Sequence, residues 1–268
     1  MKLMRFYTFL IFLFLYAPML VMILYSFNDS ASTTVFNGLS VRWYEALLED
    51  ESILQALKNT LVLAITSALI STVIGTVAAV GLDRWKKSWL RGSMMTVTNI
   101  PMTNPEIVTG ISMMLLFVFA GGMLGKRGIL GFGTLLIAHI TFSLPYVILS
   151  VLPKLRQTDR NLAEAAQDLG CRPFQAFYKV VLPAITPGII TGMIMAFTMS
   201  LDDFVISYFT TGPGYTTLPI AIFSMTRKRV RPTIFALSSL IFISVLLLLL
   251  LVNAAQARSE KKRSASYK

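Results

Sequence analysis

Three carboxylates lie in or beside apolar stretches of the chain: Glu106, Asp202 and Asp203. An ionisable group in a bilayer is costly and usually faces a cavity or a pathway. The apolar stretches around these acids contain no Lys or Arg, so a cationic substrate would meet favourable charge there. Phe204 and Tyr208 could extend this candidate substrate path, because aromatic rings attract alkyl-ammonium groups.

A structural role for the same residues stays open. Asp202 and Asp203 close the fifth apolar stretch, where they could cap helix ends or bond to exposed backbone. Glu106 follows Pro105, and an acid in the first turn of a helix complements the helix dipole. The two aromatic rings could equally serve packing.

Motifs for catalysis are absent from the sequence. It has no G-x-x-x-x-G-K-[ST], H-E-x-x-H or G-x-S-x-G pattern. Its one cysteine, Cys171, allows no internal disulfide, and no Cys-rich metal site exists. His139 lies in an apolar run and is interpreted as a buried structural residue, with a proton relay as the alternative. The sequence therefore predicts a non-enzyme that binds no cofactor or metal itself.

Composition indicates a membrane protein. The 268 residues are 55% hydrophobic and 14% charged, whereas a soluble domain carries about 25% charged residues. The formal net charge of +11 could suggest nucleic acid. Lys and Arg lie between apolar runs rather than along one stripe, however, so we expect a lipid bilayer and no nucleic acid as partner.

The hydropathy pattern predicts an all-α polytopic protein with about six transmembrane helices. The third stretch is broken by Pro101 and Pro105, so its crossing helix should begin near Pro105 after a short helix. No second break is visible. Four glycines are interpreted as helix-packing positions: Gly75, Gly81, Gly110 and Gly192. The predicted spans are 6–27, 61–82, 93–120, 134–152, 184–201 and 233–252.

The distribution of Lys and Arg predicts the orientation. With the N-terminus inside, the inner segments 1–5, 83–92, 154–183 and 253–268 carry 16 of the 24 basic residues. This excess favours cytoplasmic termini, N-in and C-in. The basic cluster 227–231 would then lie outside, either gripping an acidic partner surface or merely solvated.

Three regions follow from these spans. Residues 1–58 form the first transmembrane helix and an external loop, which could hold a short interfacial helix near Trp43 and Tyr44. Residues 59–252 form the transmembrane core, and 253–268 form a basic cytoplasmic tail.

The cytoplasmic loop 154–183 predicts two short helices. Asp159 can cap a first helix over 160–169, and Gly170 stands where the chain must turn left-handed. Pro173 can start a second helix, which should end at Leu182-Pro183. The first helix carries an apolar face made of Leu162, Ala165, Ala166 and Leu169. This face could pack beneath its own membrane helices or fit a cleft on a cytoplasmic subunit.

The stretch 164–170, Glu-Ala-Ala-Gln-Asp-Leu-Gly, is followed after nine residues by Val180-Val-Leu-Pro183. This spacing resembles the EAA motif of ABC-importer permeases, with Val180 in place of Ile. The resemblance implies the type I (MetI-like) permease fold. It also implies that 154–183 is the coupling loop that inserts into the ATPase subunit. The implied coupling residues are Glu164, Ala165, Ala166, Leu169, Gly170 and Pro183.

Three further stretches, 104–112, 200–205 and 211–219, are similar to spermidine/putrescine permeases. The resemblance implies a multi-pass protein of the bacterial cell membrane that forms half of a polyamine uptake pathway. Its implied partners are a dimer of cytoplasmic ATPase subunits that bind ATP and Mg, a second homologous permease subunit, and an extracytoplasmic polyamine-binding protein.

Two alternatives remain at this point. The same class of permease could carry a metal chelate, thiamine or a phosphonate. A stand-alone secondary carrier would need internal repeats or paired broken helices, and the sequence offers one break only.

Overall fold

A computed structural model describes residues 2–30, 35–85, 87–126, 128–159, 161–228, 232–247 and 250. The chain divides into two compact units, Met1–Gln55 with Ala221–Lys268, and Ala56–Ile220. The described helices are α1 (Lys2–Ser26), α2 (Arg42–Glu49), α3 (Glu51–Arg84), α4 (Ser88–Thr103), α5 (Glu106–Met123), α6 (Phe132–Gln157), α7 (Asn161–Asp168), α8 (Pro173–Ala176), a π-helical turn (Phe177–Val181), α9 (Leu182–Asp202), α10 (Val205–Thr210), α11 (Leu218–Lys228) and α12 (Pro232–Leu247).

Five of the described helical segments are long and apolar enough to cross a membrane, and they confirm five of the six predicted spans. The sixth predicted span, 233–252, coincides with α12, which is a shorter apolar helix within the described residues. The five segments are Met4–Ser26, Glu51–Arg84, Glu106–Met123, Phe132–Gln157 and Pro173–Asp202.

The predicted break in the third apolar stretch is confirmed. Helix α4 ends at Thr103 and α5 begins at Glu106, so the crossing helix starts directly after Pro105. Pro101 lies inside α4 without ending it. The break follows from Pro105, which disfavours the helical conformation in the residue before it.

A second break separates α9 from α10, and the expectation of a single break was wrong. Helix α9 ends at Asp202 and α10 begins at Val205. The Asp203 carboxylate accepts hydrogen bonds from the N–H groups of Ile206 (3.2 Å) and Ser207 (2.7 Å). These are N–H groups of the first turn of α10, so the aspartate starts a new helix without help from Pro or Gly.

The fifth span is longer than predicted because the second loop helix does not end at Pro183. Helix α8, the π-helical turn and α9 run on as one helix, Pro173–Asp202. The Leu182 N–H donates to the Phe177 carbonyl. Proline inside a helix lacks an N–H and crowds the carbonyl four residues before it. The wider π turn directly before Pro183 relieves this conflict without ending the helix.

Helices α3, α6 and α9 enclose the main apolar core of the larger unit. Its buried members are Ala68, Ala79, Leu82, Val147, Ile148, Val151, Leu152, Leu155, Ile185 and Ala196. Gly75 and Gly192 lie against Val147, where an added Cβ would come within 2.7 Å and 3.1 Å of it. Gly110 similarly faces Phe209. The packing role is confirmed for these three glycines, whereas at Gly81 a Cβ would meet nothing within 4 Å among the described residues, so the prediction was wrong for packing within this chain.

The smaller unit contains α2, which confirms the predicted short helix near Trp43 and Tyr44; its place at the membrane interface stays a prediction. The Tyr44 hydroxyl lies 2.7 Å from Ser26 Oγ and 2.8 Å from Ser239 Oγ. The Trp43 indole N–H donates to the Asn28 carbonyl at 2.6 Å. These polar contacts join α1, α2 and α12.

Two predictions lie largely outside the described residues. The basic tail 253–268 lies entirely outside them. Of the basic cluster 227–231, only Arg227 and Lys228 belong to a described helix, at the end of α11.

Candidate coupling surface and carboxylate site

The described part of α7 covers Asn161–Asp168, and it has the capping aspartate and the terminal turn that the sequence predicts. The Asp159 carboxylate accepts a hydrogen bond from the Asn161 N–H at 3.0 Å. At the other end Gly170 has a φ of +90°. The Gly170 N–H donates to the Gln167 carbonyl and the Cys171 N–H to the Ala166 carbonyl, at 2.9 Å and 3.0 Å. This pair of bonds is a Schellman motif, which holds the turn in one conformation.

The apolar face of α7 is mostly uncovered by the part of the chain that the structure describes. Ala166 is buried, but Leu162 and Ala165 are exposed and Leu169 is 88% exposed. A loop that merely packed beneath its own membrane helices would bury these side chains. The geometry instead presents Leu162 and Ala165 on α7, together with Leu169 directly after it.

Glu164 lies on a different side of α7, beside a cavity of about 530 Å³. The cavity walls carry charges of both signs. They include Asp83 and Arg84 at the end of α3, Arg91 of α4, and Asp159. Glu164 is exposed, so the predicted coupling glutamate lies at the edge between the apolar face of α7 and this charged cavity.

The second helix of the loop adds aromatic surface. Pro173 stands at the start of α8, as predicted, and the Arg172 N–H donates to Gln175 Oε1 at 3.1 Å. Phe174 is 78% exposed, and Tyr178 is also exposed. The loop therefore offers apolar and aromatic side chains from two helices joined at Gly170.

The two adjacent aspartates of the α9–α10 break lie in different surroundings. Asp202 is exposed at the end of α9. Asp203 is buried, and both of its carboxylate oxygens accept N–H groups of α10. Of the two roles left open by the sequence, the helix-capping role fits Asp203, while Asp202 remains available to a pathway.

Glu106 lies near Asp202 and Tyr146. Glu106 is exposed at the first position of α5, and its carboxylate interacts electrostatically with Asp202 and with the Tyr146 hydroxyl. The rings of Phe204 and Tyr208 contact each other beside the break at a tilted angle of 39°, with centroids 5.5 Å apart. Sequence reasoning did not find Tyr146, because its position on α6 has no local motif.

His139 lies at the centre of a buried polar cluster that the sequence only partly indicated. It is 1% exposed, which confirms its predicted burial. Its Nδ1 lies 2.7 Å from Ser200 Oγ on α9, and its Nε2 lies 3.0 Å from Ser207 Oγ on α10. Nε2 is also 3.5 Å from Asp203 Oδ2, and the Ser67 hydroxyl of α3 lies 2.9 Å from that of Ser200.

The loop that follows α10 is tied to α3. The Tyr215 hydroxyl donates to the Asn59 carbonyl at 3.0 Å, and the Asn59 side chain donates to the Thr216 carbonyl at 3.0 Å. The Leu218 N–H donates to Thr60 Oγ1 at 2.7 Å. Burial raises the pKa of the Tyr215 hydroxyl, so it stays protonated and keeps donating at neutral pH.

Within the described residues, no group of three or more His, Cys, Asp or Glu side chains could hold a metal ion.

Comparison with known proteins relates this arrangement to transport. Residues 71–265 match the model of a family described as a binding-protein-dependent transport system inner membrane component. The chain is 41% identical to the putrescine transport system permease protein PotI of Escherichia coli (strain K12), over 94% of this chain and 90% of that protein. It is 37% identical to the spermidine/putrescine transport system permease protein PotC of the same strain, over 94% and 92%.

Solved structures share the fold at low sequence identity. A bacterial ABC transporter involved in the import of the acidic polysaccharide alginate matches with a TM-score of 0.76 at 18% identity, over 96% of this chain and 94% of that one. An amino acid ABC transporter matches with a TM-score of 0.52 at 19% identity, over 79% and 98%. At this level of identity the likeness shows the fold alone.

Proposed function

Because the chain belongs to the family of binding-protein-dependent transport system inner membrane components, we propose that it is a permease subunit of an ATP-driven importer of putrescine and spermidine. The substrate assignment rests on the similarity of the chain to two polyamine permeases over more than nine-tenths of its length. The exposed carboxylates Glu106 and Asp202 support the same substrate, because a polyamine is a flexible polycation.

The proposed path runs past Glu106, Asp202 and Tyr146. A polyamine carries ammonium groups separated by methylene chains. The carboxylates attract the ammonium groups, while the rings of Phe204 and Tyr208 contact the methylenes and attract the cations. Asp203, for which the sequence left a path role and a capping role open, serves in this proposal as the cap of α10.

The proposed assembly contains three other components. A dimer of cytoplasmic ATPase subunits binds ATP and Mg, and one of its clefts receives α7 through Leu162, Ala165 and Leu169. A second permease subunit supplies the other half of the path. An extracytoplasmic binding protein delivers the polyamine. The similarity to an alginate transporter solved with its bound periplasmic protein supports such an arrangement (TM-score 0.73).

The continuous helix Pro173–Asp202 supports a direct route for coupling. Its 30 residues span about 45 Å at 1.5 Å per residue. One end carries Phe174 beside the coupling helix, and the other ends at the Asp202 carboxylate. Closure of the ATPase dimer would move α7 and α8, and this helix would carry the displacement to the α9–α10 break.

Both chain termini and the coupling loop lie in the cytoplasm in this proposal. The excess of Lys and Arg in segments 1–5, 83–92 and 154–183 supports that orientation. The protein acts in the inner membrane, like the family it belongs to.

Uptake by cells lacking their own polyamine importers tests the substrate. The chain is expressed with its partner subunits, and entry of labelled putrescine is measured against unlabelled spermidine, thiamine, a phosphonate and an iron chelate. We expect competition by spermidine alone. Competition by one of the other compounds and not by spermidine would overturn the polyamine assignment.

The energy source of uptake distinguishes the importer from a stand-alone carrier. The carrier needs to be tested because the structure has a second helix break, and paired broken helices are a feature of secondary carriers. Vesicles loaded with ATP should accumulate putrescine after an uncoupler has removed the ion gradients. Uptake that needs the gradient and ignores ATP would instead indicate a secondary carrier.

A further inference from the structure

We infer that His139 is a positioning residue for transport, which fixes α10 against α9 and so sets the direction in which the Asp202 carboxylate faces the path. The inference rests on the proposed transport function. It concerns a side chain that lies away from the path, buried between the two halves of the broken helix.

The imidazole spans the break with one nitrogen on each side. Nδ1 lies 2.7 Å from Ser200 Oγ, two residues before the end of α9. Nε2 lies 3.0 Å from Ser207 Oγ in α10. The ring therefore connects the two helices across the residues where the backbone itself is not helical.

The surrounding groups select one tautomer. Nε2 lies 3.5 Å from Asp203 Oδ2, and a carboxylate that receives two backbone N–H groups acts as an acceptor. The ring proton is thus placed on Nε2, facing α10. Nδ1 is left to accept the Ser200 hydroxyl proton, so each nitrogen has one defined task.

Helix α10 depends on such contacts because it has only six residues. A helix this short has little stability of its own, and tertiary contacts determine its position. Helix α6 supplies two of them. His139 holds Ser207, and the Thr134 hydroxyl lies 3.0 Å from the Thr210 carbonyl at the other end of α10.

The position of α10 in turn controls the acidic residues. Asp203 is held by the Ile206 and Ser207 N–H groups, so a shift of α10 moves Asp203 and, through one peptide bond, Asp202. A core histidine with a packing role alone would have no such link. This difference allows the two roles to be separated experimentally.

Two amide variants each keep the contact of only one ring nitrogen of His139. In His139→Asn the amide can replace Nδ1 and keep the contact with Ser200 while losing Ser207. In His139→Gln the longer side chain can place its amide N–H where Nε2 donates, so it keeps the contact with α10. Thr141→Val is the matched control, because Thr141 is exposed on the same helix and bonds only to the Ile137 carbonyl.

Uptake kinetics of the whole complex in membrane vesicles give the first readout. At equal amounts of membrane protein, we expect His139→Asn to raise the KM for putrescine at least threefold. His139→Gln and Thr141→Val should stay within twofold of the parent. Equal KM values for the Asn and Gln variants would overturn the positioning role, as would a loss confined to the amount of membrane protein.

A second readout is independent of the substrate. Tyr208→Cys in a Cys171→Ser background places one thiol on α10, at an exposed position. We expect maleimide to label it at least threefold faster with His139→Asn and at the parental rate with His139→Gln. Unchanged labelling in both variants would overturn the inference. Failure of the parent complex to take up putrescine would count against the proposed substrate only.

Discussion

Gly170 sets the direction in which the chain leaves α7, the helix that we propose enters a cleft of the ATPase. Its φ of +90° belongs to a backbone region that costs an L-residue about 1–2 kcal/mol. The Schellman bonds on either side fix the direction in which the chain leaves α7. Among the described residues, a Cβ added at this position would meet nothing within 4 Å, so the requirement for glycine is conformational rather than steric.

Substitutions at Gly170 should therefore be graded by backbone preference. Gly170→Ala should cost about 1 kcal/mol in the local turn and lower ATP-coupled uptake several-fold. Gly170→Asn should retain most uptake, since Asn tolerates the left-handed region. Uptake and co-purification of the ATPase subunits measure the effect. Equal activity of the Ala and Asn variants would show that the turn conformation does not control coupling.

At the scale of the helices, close approach of α3, α6 and α9 sets the core of the larger unit. Val147 of α6 is fully buried and lies between Gly75 of α3 and Gly192 of α9. A β-branched side chain held from both sides has no free rotamer to adopt. The two glycines thus allow three helices to pack through one valine, as small residues do between membrane helices.

Two alanine variants of α3 compare a packed glycine with an open one. At Gly75 the added methyl group would lie 2.7 Å from Val147 Cγ1, so Gly75→Ala should destabilise by about 1–3 kcal/mol. At Gly81 the space is open, so Gly81→Ala should be neutral or stabilise by about 0.5–1 kcal/mol. The Tm of the purified complex in detergent measures both. A Tm for Gly75→Ala at or above the parental value would contradict this account of the packing.

Apolar periodicity and proline placement predicted the long helices, because length and hydropathy alone decide which segments cross a bilayer. Proline placement also predicted the Pro105 break and the start of α8 at Pro173, and the glycine at position 170 predicted the turn after α7. They missed the break after Asp202, which depends on a buried aspartate cap rather than on Pro or Gly. An Asp two residues before a six-residue helix was the available signal.

The sequence signals also predicted that the second loop helix ends at Pro183. This prediction was wrong because hydropathy does not reveal a π turn that accommodates proline. The partners of His139 come from α9 and α10, more than sixty residues away in sequence. Such contacts arise only when the helices pack, so no local pattern could have predicted them.

At the scale of the whole molecule, family membership confirms the expectation of an all-α importer permease with no catalytic chemistry of its own. The orientation of the chain in the membrane decides on which side its proposed coupling loop lies. The predicted orientation places the coupling loop inside, and the loop contains the one cysteine of the chain, Cys171, which is partly exposed. This thiol directly follows Gly170, at the edge of the coupling surface.

Labelling of Cys171 with a membrane-impermeant maleimide therefore tests orientation and docking together. We expect labelling in inside-out vesicles stripped of ATPase subunits and none in right-side-out vesicles. Re-binding of the ATPase subunits should slow the reaction at least threefold, because α7 and its Schellman turn would then be covered. Asp29→Cys in a Cys171→Ser background is the opposite control, since Asp29 is exposed just beyond the far end of α1. Labelling of Cys171 only in right-side-out vesicles would invert the topology and remove the coupling role from the 154–183 loop.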